Sequence, residues 1–135
     1  VEVRCRGIGG GLFKRLFSNK EDNKAFRKAA SRGDLDEARR LLAAGAYVDA
    51  TDKVGRTSLH RSAWDGRVET CRMLIEMGAK VRASDEGSRT PLHMAAEEGH
   101  LEVCHMLLEA GAKVRATSFL RDTPLHLSAA KGHVE

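Results

Sequence analysis

The sequence has few of the residues that stabilise secreted domains or form large apolar cores. Its three cysteines, Cys5, Cys71 and Cys104, are too few, and odd in number, for a disulfide framework. Aromatic residues make up only 4%, which favours small helices packed closely together. No segment approaches the roughly 18 apolar residues of a membrane span, and the N-terminus has no signal-peptide run. We therefore expect an intracellular protein, cytoplasmic or nuclear, and expect this chain to be part of a longer one.

The net charge of +4 is confined to the N-terminus. Residues 1–20 contain five basic side chains and one acidic side chain, so they account for all of it. Residues 21–135 contain 18 basic and 18 acidic side chains and are neutral. A nucleic-acid-binding domain usually carries a basic excess over its folded part, so we expect no direct contact with nucleic acid.

A period of 33 residues organises the rest of the chain. Thr57-Ser58-Leu59-His60 recurs as Thr90-Pro91-Leu92-His93 and as Thr123-Pro124-Leu125-His126. Counting back by the same step from Leu59 reaches Phe26, which indicates a degenerate first copy. We define four copies: 24–50, 51–83, 84–116 and the truncated 117–135. Such self-similarity is typical of repeat architectures.

Each copy reads as two short antiparallel helices and a turn. Thr90 is a suitable N-cap, and Pro91 suits the first helical position. Leu92, Ala95 and Ala96 then predict a buried stripe on the first helix. For the second helices we predict these buried faces: Leu35, Ala38, Leu41 and Leu42; Val68, Cys71, Leu74 and Ile75; Leu101, Cys104, Leu107 and Leu108. One helix pair cannot bury its own apolar face, so the copies are expected to stack into an all-α solenoid with extended β-turn fingers.

The pattern T-P-L-H-x-A-A followed by G-H-x-E-V, repeated at this period, resembles the ankyrin repeat over residues 24–135. The resemblance implies a scaffold that is not an enzyme, needs no cofactor and binds a partner protein through its concave surface. An alternative is a regulatory module of a larger enzyme, channel or transcriptional co-regulator. We expect no obligate oligomer.

Three departures from the repeat pattern lead to further expectations. The first copy has Arg27 at the His position and adds Lys28, Arg39 and Arg40, which would form the polar outer face of a capping repeat. The turn residue Gly55 becomes Ser88 and then Arg121, and the turn Asp becomes Ser118, so we expect an irregular turn between the third and fourth copies. We also expect residues 124–131 to fray.

No set of residues indicates catalysis. His60, His93 and His126 lie on successive copies about 10 Å apart, too far to share a metal ion, and the resemblance implies that each bonds the Thr at its helix start and the neighbouring turn. Cys71 and Cys104 occupy equivalent buried positions and are interpreted as core residues rather than nucleophiles. The glycine-rich segment 7–11 lacks the Gly-Lys-Ser/Thr of a phosphate-binding loop and is interpreted as a linker.

Positions that the repeat leaves free are the candidates for binding. Trp64 is the only tryptophan, and Phe119 and Leu120 are apolar residues at a turn tip, so they could anchor a partner. Alternatively, Trp64 covers the adjacent helix, Phe119 folds back onto its own turn, and the arginines are solvated surface. The predicted partner-binding set is Lys53, Val54, Arg56, Trp64, Asp65, Glu86, Arg89, Glu97, Glu98, Phe119, Leu120 and Lys131.

The N-terminal flank, residues 1–23, is basic and either flexible or helical. Leu12, Phe13, Leu16 and Phe17 would share one face of a helix, with Lys14 and Arg15 opposite. This segment could cover the end of the first copy, act as a linker, or dock on a partner or an anionic membrane. Membrane contact is therefore expected only through residues 12–17.

Overall fold

The computed structural model describes residues 19–118 and 122–125, and within these ranges it contains six helices and no strand. They form three antiparallel pairs, one in each of the first three copies, which agrees with the predicted all-α arrangement. Their bounds are α1 Lys20–Arg32, α2 Leu35–Ala43, α3 Ser58–Asp65, α4 Val68–Glu76, α5 Pro91–Glu97 and α6 Leu101–Glu109.

The first helices of the second and third copies begin as predicted. The Thr57 hydroxyl accepts a hydrogen bond from the His60 amide, and the Thr90 hydroxyl does the same for the His93 amide. The first copy differs, because α1 is capped by Asn19, whose side chain accepts from the Glu21 amide. Residues 20–23 are therefore already helical, although the sequence placed the start of the first copy at residue 24.

The core runs between the stacked first helices. Helix α3 packs against both α1 and α5, and each second helix packs on the first helix of its own copy. Phe26, Leu59 and Leu92 occupy equivalent positions and are all buried. Around them lie small buried residues such as Ala63 and Ala95, which allow neighbouring helices to approach closely. The predicted stripe of the first helices is therefore confirmed.

The predicted buried face of the second helices is correct in α2 and α4 but partly wrong in α6. Leu101 and Leu108 are 48% and 39% exposed, whereas Leu107 is buried and Val103, which was not predicted, is 1% exposed. Helix α6 packs mainly on α5 and also on α4. The equivalent Val68 and Ile75 on α4 are half-buried.

Extended fingers project from the helices between successive copies. Asp52 closes the finger of the second copy, because its carboxylate accepts from the amides of Val54 and Arg56, at 2.9 and 3.0 Å, and its own amide donates to the Arg56 carbonyl. Asp85 makes the equivalent bonds to Gly87 and Arg89. Both fingers therefore have the same closed base.

The finger between the third and fourth copies keeps part of this base. Ser118 donates its amide to the Asp122 carbonyl at 2.8 Å, and its hydroxyl accepts the Asp122 amide at 3.2 Å. The prediction of an irregular turn is therefore wrong for the base of this finger. The Ser118 hydroxyl makes one of the two bonds that the aspartate carboxylate makes in the other fingers. The tip, including Arg121, lies outside the described residues, as does most of the segment expected to fray. Leu125 is 68% exposed, whereas its equivalents Leu59 and Leu92 are buried.

Candidate partner-binding surface

Two histidines join successive copies from inside the stack. The amide of Thr57 donates to Nδ1 of His60 at 3.1 Å, so Nδ1 is an acceptor, and Nε2 carries the proton that it donates to the Arg89 carbonyl at 2.8 Å. His93 bonds Thr90 and the Asp122 carbonyl in the same way, at 3.1 and 2.9 Å. Burial lowers the pKa of both imidazoles below the ordinary value, which favours the neutral form these bonds require. The expectation that these histidines bond the helix start and the next turn is confirmed.

We call the boundary between the second and third copies the second junction. Besides the His60 bond, the Glu86 amide donates to the Val54 carbonyl at 3.0 Å, joining the two fingers. Arg56 Nε lies 3.4 Å from the largely buried carboxylate of Asp85. These bonds span the junction from the finger tips to the helices.

His100 adds a bond to the second junction that was not anticipated. Its Nε2 donates to the Trp64 carbonyl at 2.9 Å, and its ring lies over Gly66, where an added Cβ would come within 2.5 Å of Nδ1. Gly66 therefore has two roles, since its φ of 71° ends α3 and its missing side chain leaves room for the imidazole.

The first junction, between the first and second copies, has a different structure. Arg27 stands where His60 and His93 stand in later copies, and its buried Nε has no hydrogen-bond partner within the described residues. Instead, a groove of about 760 Å³ opens between α1 on one side and the second finger and the start of α3 on the other. We call it the basic groove, because its lining includes six basic side chains: Lys24, Arg27, Lys28, Lys53, Arg56 and Arg61.

The predicted binding residues fall into two groups in the structure. Lys53, Val54, Trp64 and Glu86 are exposed, with Val54 at 41% and Trp64 at 36%. Lys53 and Val54 also line the basic groove, whereas Trp64 lies beyond it near the end of α3.

The second group consists of charged side chains, most of which pair within the fold. Arg89 pairs with Glu97, and both are mostly buried. Arg61 pairs with Asp65 at 2.9 Å. Arg56 pairs with Asp85, as described above, and Glu98 is half-buried at the end of α5. Part of the charge of this second group is therefore already neutralised.

The remaining predicted residues, Phe119, Leu120 and Lys131, lie outside the described residues, as does the amphipathic segment 12–17. Their predicted roles therefore stay predictions. None of the helices in the described part of the chain is long and apolar enough to cross a bilayer.

Comparison with known families agrees with this arrangement. A model of ankyrin repeats (3 copies) matches residues 9–85 and 26–118. The chain belongs to the ankyrin-repeat family. A search of the curated proteins found no match. Ankyrin repeats are generally protein–protein interaction modules, and the family is typically non-catalytic.

The two described cysteines of this ankyrin domain have structural roles rather than reactive ones. Burial raises the pKa of the Cys71 thiol to about 12, and it also raises the pKa of the Cys104 thiol. Both thiols therefore stay protonated and unreactive near neutral pH, in agreement with their interpretation as core residues. The described residues contain no group of three or more His, Cys, Asp or Glu side chains placed to hold a metal ion.

Sequence reasoning missed the basic groove. Arg27 and Lys28 were assigned to the outer face of a capping repeat, but both line the basic groove and so face the second copy. Lys24 was assigned no role. The signal was present in the 33-residue step, because Lys28 and Arg61 occupy equivalent positions and are both basic, whereas the next equivalent is Met94.

Proposed function

We propose that this ankyrin domain is a non-catalytic module that binds a partner protein along the concave surface formed by its fingers and the exposed sides of α1, α3 and α5. The observation that carries the proposal is the exposure of Lys53 and Val54, which line an open groove, and of Trp64 near the end of α3. Within the described residues, these three side chains take part in no hydrogen bond or ion pair. An exposed tryptophan and valine beside charged side chains provide the apolar centre and polar rim of a typical interface. We further propose an intracellular location, where free buried thiols such as Cys71 persist.

Substitution of the exposed apolar side chains tests this proposal. The double variant Val54→Ser/Trp64→Ala is compared with Met77→Ser/Val114→Ser, which removes exposed apolar side chains that follow α4 and α6 rather than α3 and its finger. Each protein is immobilised, crosslinked to captured proteins and analysed by quantitative mass spectrometry. We expect the first variant to lose its specific partner by about tenfold or more, a change of about 1.4 kcal/mol, and the control to retain it.

Circular dichroism and urea unfolding accompany the capture. Equal capture by both variants would refute binding at this surface. Unfolding of the Val54→Ser/Trp64→Ala protein would instead show that Trp64 is a core residue, which its exposure argues against.

A further inference from the structure

We propose that the basic groove binds an extended acidic segment of the partner, with carboxylates spaced three residues apart. This inference rests on the proposed function and specifies the chemistry of the partner. It starts from the balance of charge in the groove. Against six basic side chains the lining contains one acid, Asp52, and one oxygen of that carboxylate already accepts the amides of Val54 and Arg56.

Most of the groove's cations are not neutralised by the fold. Arg56 and Arg61 have the ion-pair partners described above. Within the described residues, Lys24, Arg27, Lys28 and Lys53 have none.

Arg27 is the second, independent observation. It is half-buried and its Nε is fully enclosed without a hydrogen-bond acceptor. Ser58, also in the lining, is buried and its hydroxyl has no partner within the described residues. A partly buried guanidinium without a counter-charge is unfavourable, and a carboxylate bound in the groove would offset this cost.

The basic character is confined to the first junction. At the positions equivalent to Lys24, Arg27 and Lys28, the second copy has Thr57, His60 and Arg61, and the first two of these are used in the histidine bonds. The third copy places Glu86 at the Lys53 position. Charge complementarity therefore points to one groove and not to the whole concave surface.

The same argument selects the occupant. The chain's own residues 1–18 contain four basic side chains and one acidic side chain, so the groove would repel this flank. A long nucleic acid would need a basic track beyond the groove, whereas Glu86, Glu97 and Glu98 follow on the third copy. A short acidic peptide segment fits both constraints.

The repeat also predicts the spacing of the carboxylates. Lys28 and Arg61 occupy equivalent positions on α1 and α3, which pack together, and packed helices lie about 8–10 Å apart. A chain in the extended polyproline II conformation has three residues per turn and advances about 3.1 Å per residue, so the side chains of residues i and i+3 lie on the same side and span a similar distance. Acidic residues in an E-x-x-E arrangement can therefore reach both side chains together.

Fluorescence anisotropy with labelled synthetic peptides tests the proposal on the full chain. The probes are an E-x-x-E peptide in a Gly/Ser background, an isomer with adjacent glutamates, and a Q-x-x-Q peptide. We expect the E-x-x-E peptide to bind most tightly, the isomer several-fold more weakly and the neutral peptide hardly at all. Affinity should fall with added salt, because exposed ion pairs are screened.

Matched protein variants locate the site. Lys28→Gln/Arg61→Gln removes two charges from the groove, and Arg32→Gln/Arg39→Gln removes two exposed charges from elsewhere in the first copy. The groove variant should bind the E-x-x-E peptide about tenfold more weakly and the control within about twofold of the wild type. The reversed pair Lys28→Glu/Arg61→Glu should instead bind a K-x-x-K peptide, which a folding defect would not produce.

Equal weakening by the groove and control variants would overturn the proposal, as would equal binding of the neutral peptide. Tighter binding of a labelled single-stranded oligonucleotide than of the acidic peptide would assign the groove to nucleic acid instead. The proposed function has a separate readout. If the acidic peptide fails to bind while Val54→Ser/Trp64→Ala still loses the captured partner, only the acidic-segment proposal is wrong.

Discussion

The first and second junctions are built on the same repeat but are bonded differently. At the second junction His60, Arg56 and His100 all bond the neighbouring copy. At the first junction the His60 position is Arg27, and a groove lined by basic side chains lies beside it. The difference arises because α1 begins at Lys20, so that Lys24 lies within the helix where Thr57 and Thr90 end an extended segment. The repeat position whose histidine stabilises the second junction is therefore free to bind a ligand at the first junction, where it is Arg27.

Alanine substitution at the histidine position is expected to give the largest difference in stability between the two junctions. His60→Ala removes the bond to the Arg89 carbonyl, leaves the Thr57 amide without its acceptor and creates a cavity, so it should destabilise the protein by about 2–4 kcal/mol. Arg27→Ala removes a side chain that makes no hydrogen bond within the described residues, and should cost less than about 1 kcal/mol. Urea unfolding followed by circular dichroism measures both. Similar losses would mean that Arg27 stabilises its junction as His60 does.

A second comparison uses the glycines that end α1 and α3. Gly33 and Gly66 have φ of 78° and 71°, so alanine at either should cost about 1–2 kcal/mol. At Gly33 the new Cβ meets the flexible end of Arg67, whereas at Gly66 it meets three ring atoms of His100, whose Nε2 is held by the Trp64 carbonyl. Gly66→Ala should therefore lose a further ~1–3 kcal/mol by overpacking. Equal thermal and urea stabilities of the two variants would show that His100 can move away.

Acidification should weaken the histidine bonds. Burial lowers the pKa of His60 and His93 below the value of 6.5 expected in the unfolded chain. The unfolded state therefore binds more protons as the pH falls below about 6.5, and the folded state loses stability, by at most about 1.4 kcal/mol per pH unit for each histidine. Urea unfolding of the wild type across this range is compared with His60→Asn, whose pH dependence should be smaller. A stability that rises on acidification would contradict this assignment.

The smallest predicted effect concerns the two fingers. Ser88 adopts a φ of 59°, a left-handed conformation that is unfavourable for a residue with a side chain. Ser88→Gly should therefore stabilise the protein by about 0.5–1 kcal/mol, the strain relieved being partly offset by the greater freedom of glycine in the unfolded chain. Gly55→Ser should do the opposite, because its Cβ would also approach the Asp85 backbone at 3.3 Å. A loss of thermal stability in Ser88→Gly would mean that the serine side chain makes a compensating contact.

The sequence was sufficient for the parts of the structure that depend on the repeat alone. Thr57 and His60 have their roles fixed by neighbours at constant sequence separation, so their chemistry could be predicted. The exposure of Leu101 and Leu108 could not, because burial on a second helix depends on which helix lies beside it. The basic groove was missed for a similar reason. Arg27 and Lys28 belong to one copy and Arg56 and Arg61 to the next, and only the stack brings them to the same groove.

The residue at the Arg27 position also affects the order in which the copies unfold. In a stack of repeats, stability is approximately a sum of terms within each copy and terms between neighbours. The first junction lacks the histidine bond, although the Lys80 amide donates to Asp49 across it at 2.9 Å. We therefore expect its neighbour term to be weaker than that of the second junction, so the first copy should open before the second, and hydrogen exchange in α1 should be faster than in α3. Any ligand that spans α1 and α3 binds across this weak boundary and raises the stability of the end copy by mass action. Binding in the groove would then be detected as more cooperative unfolding of the repeats.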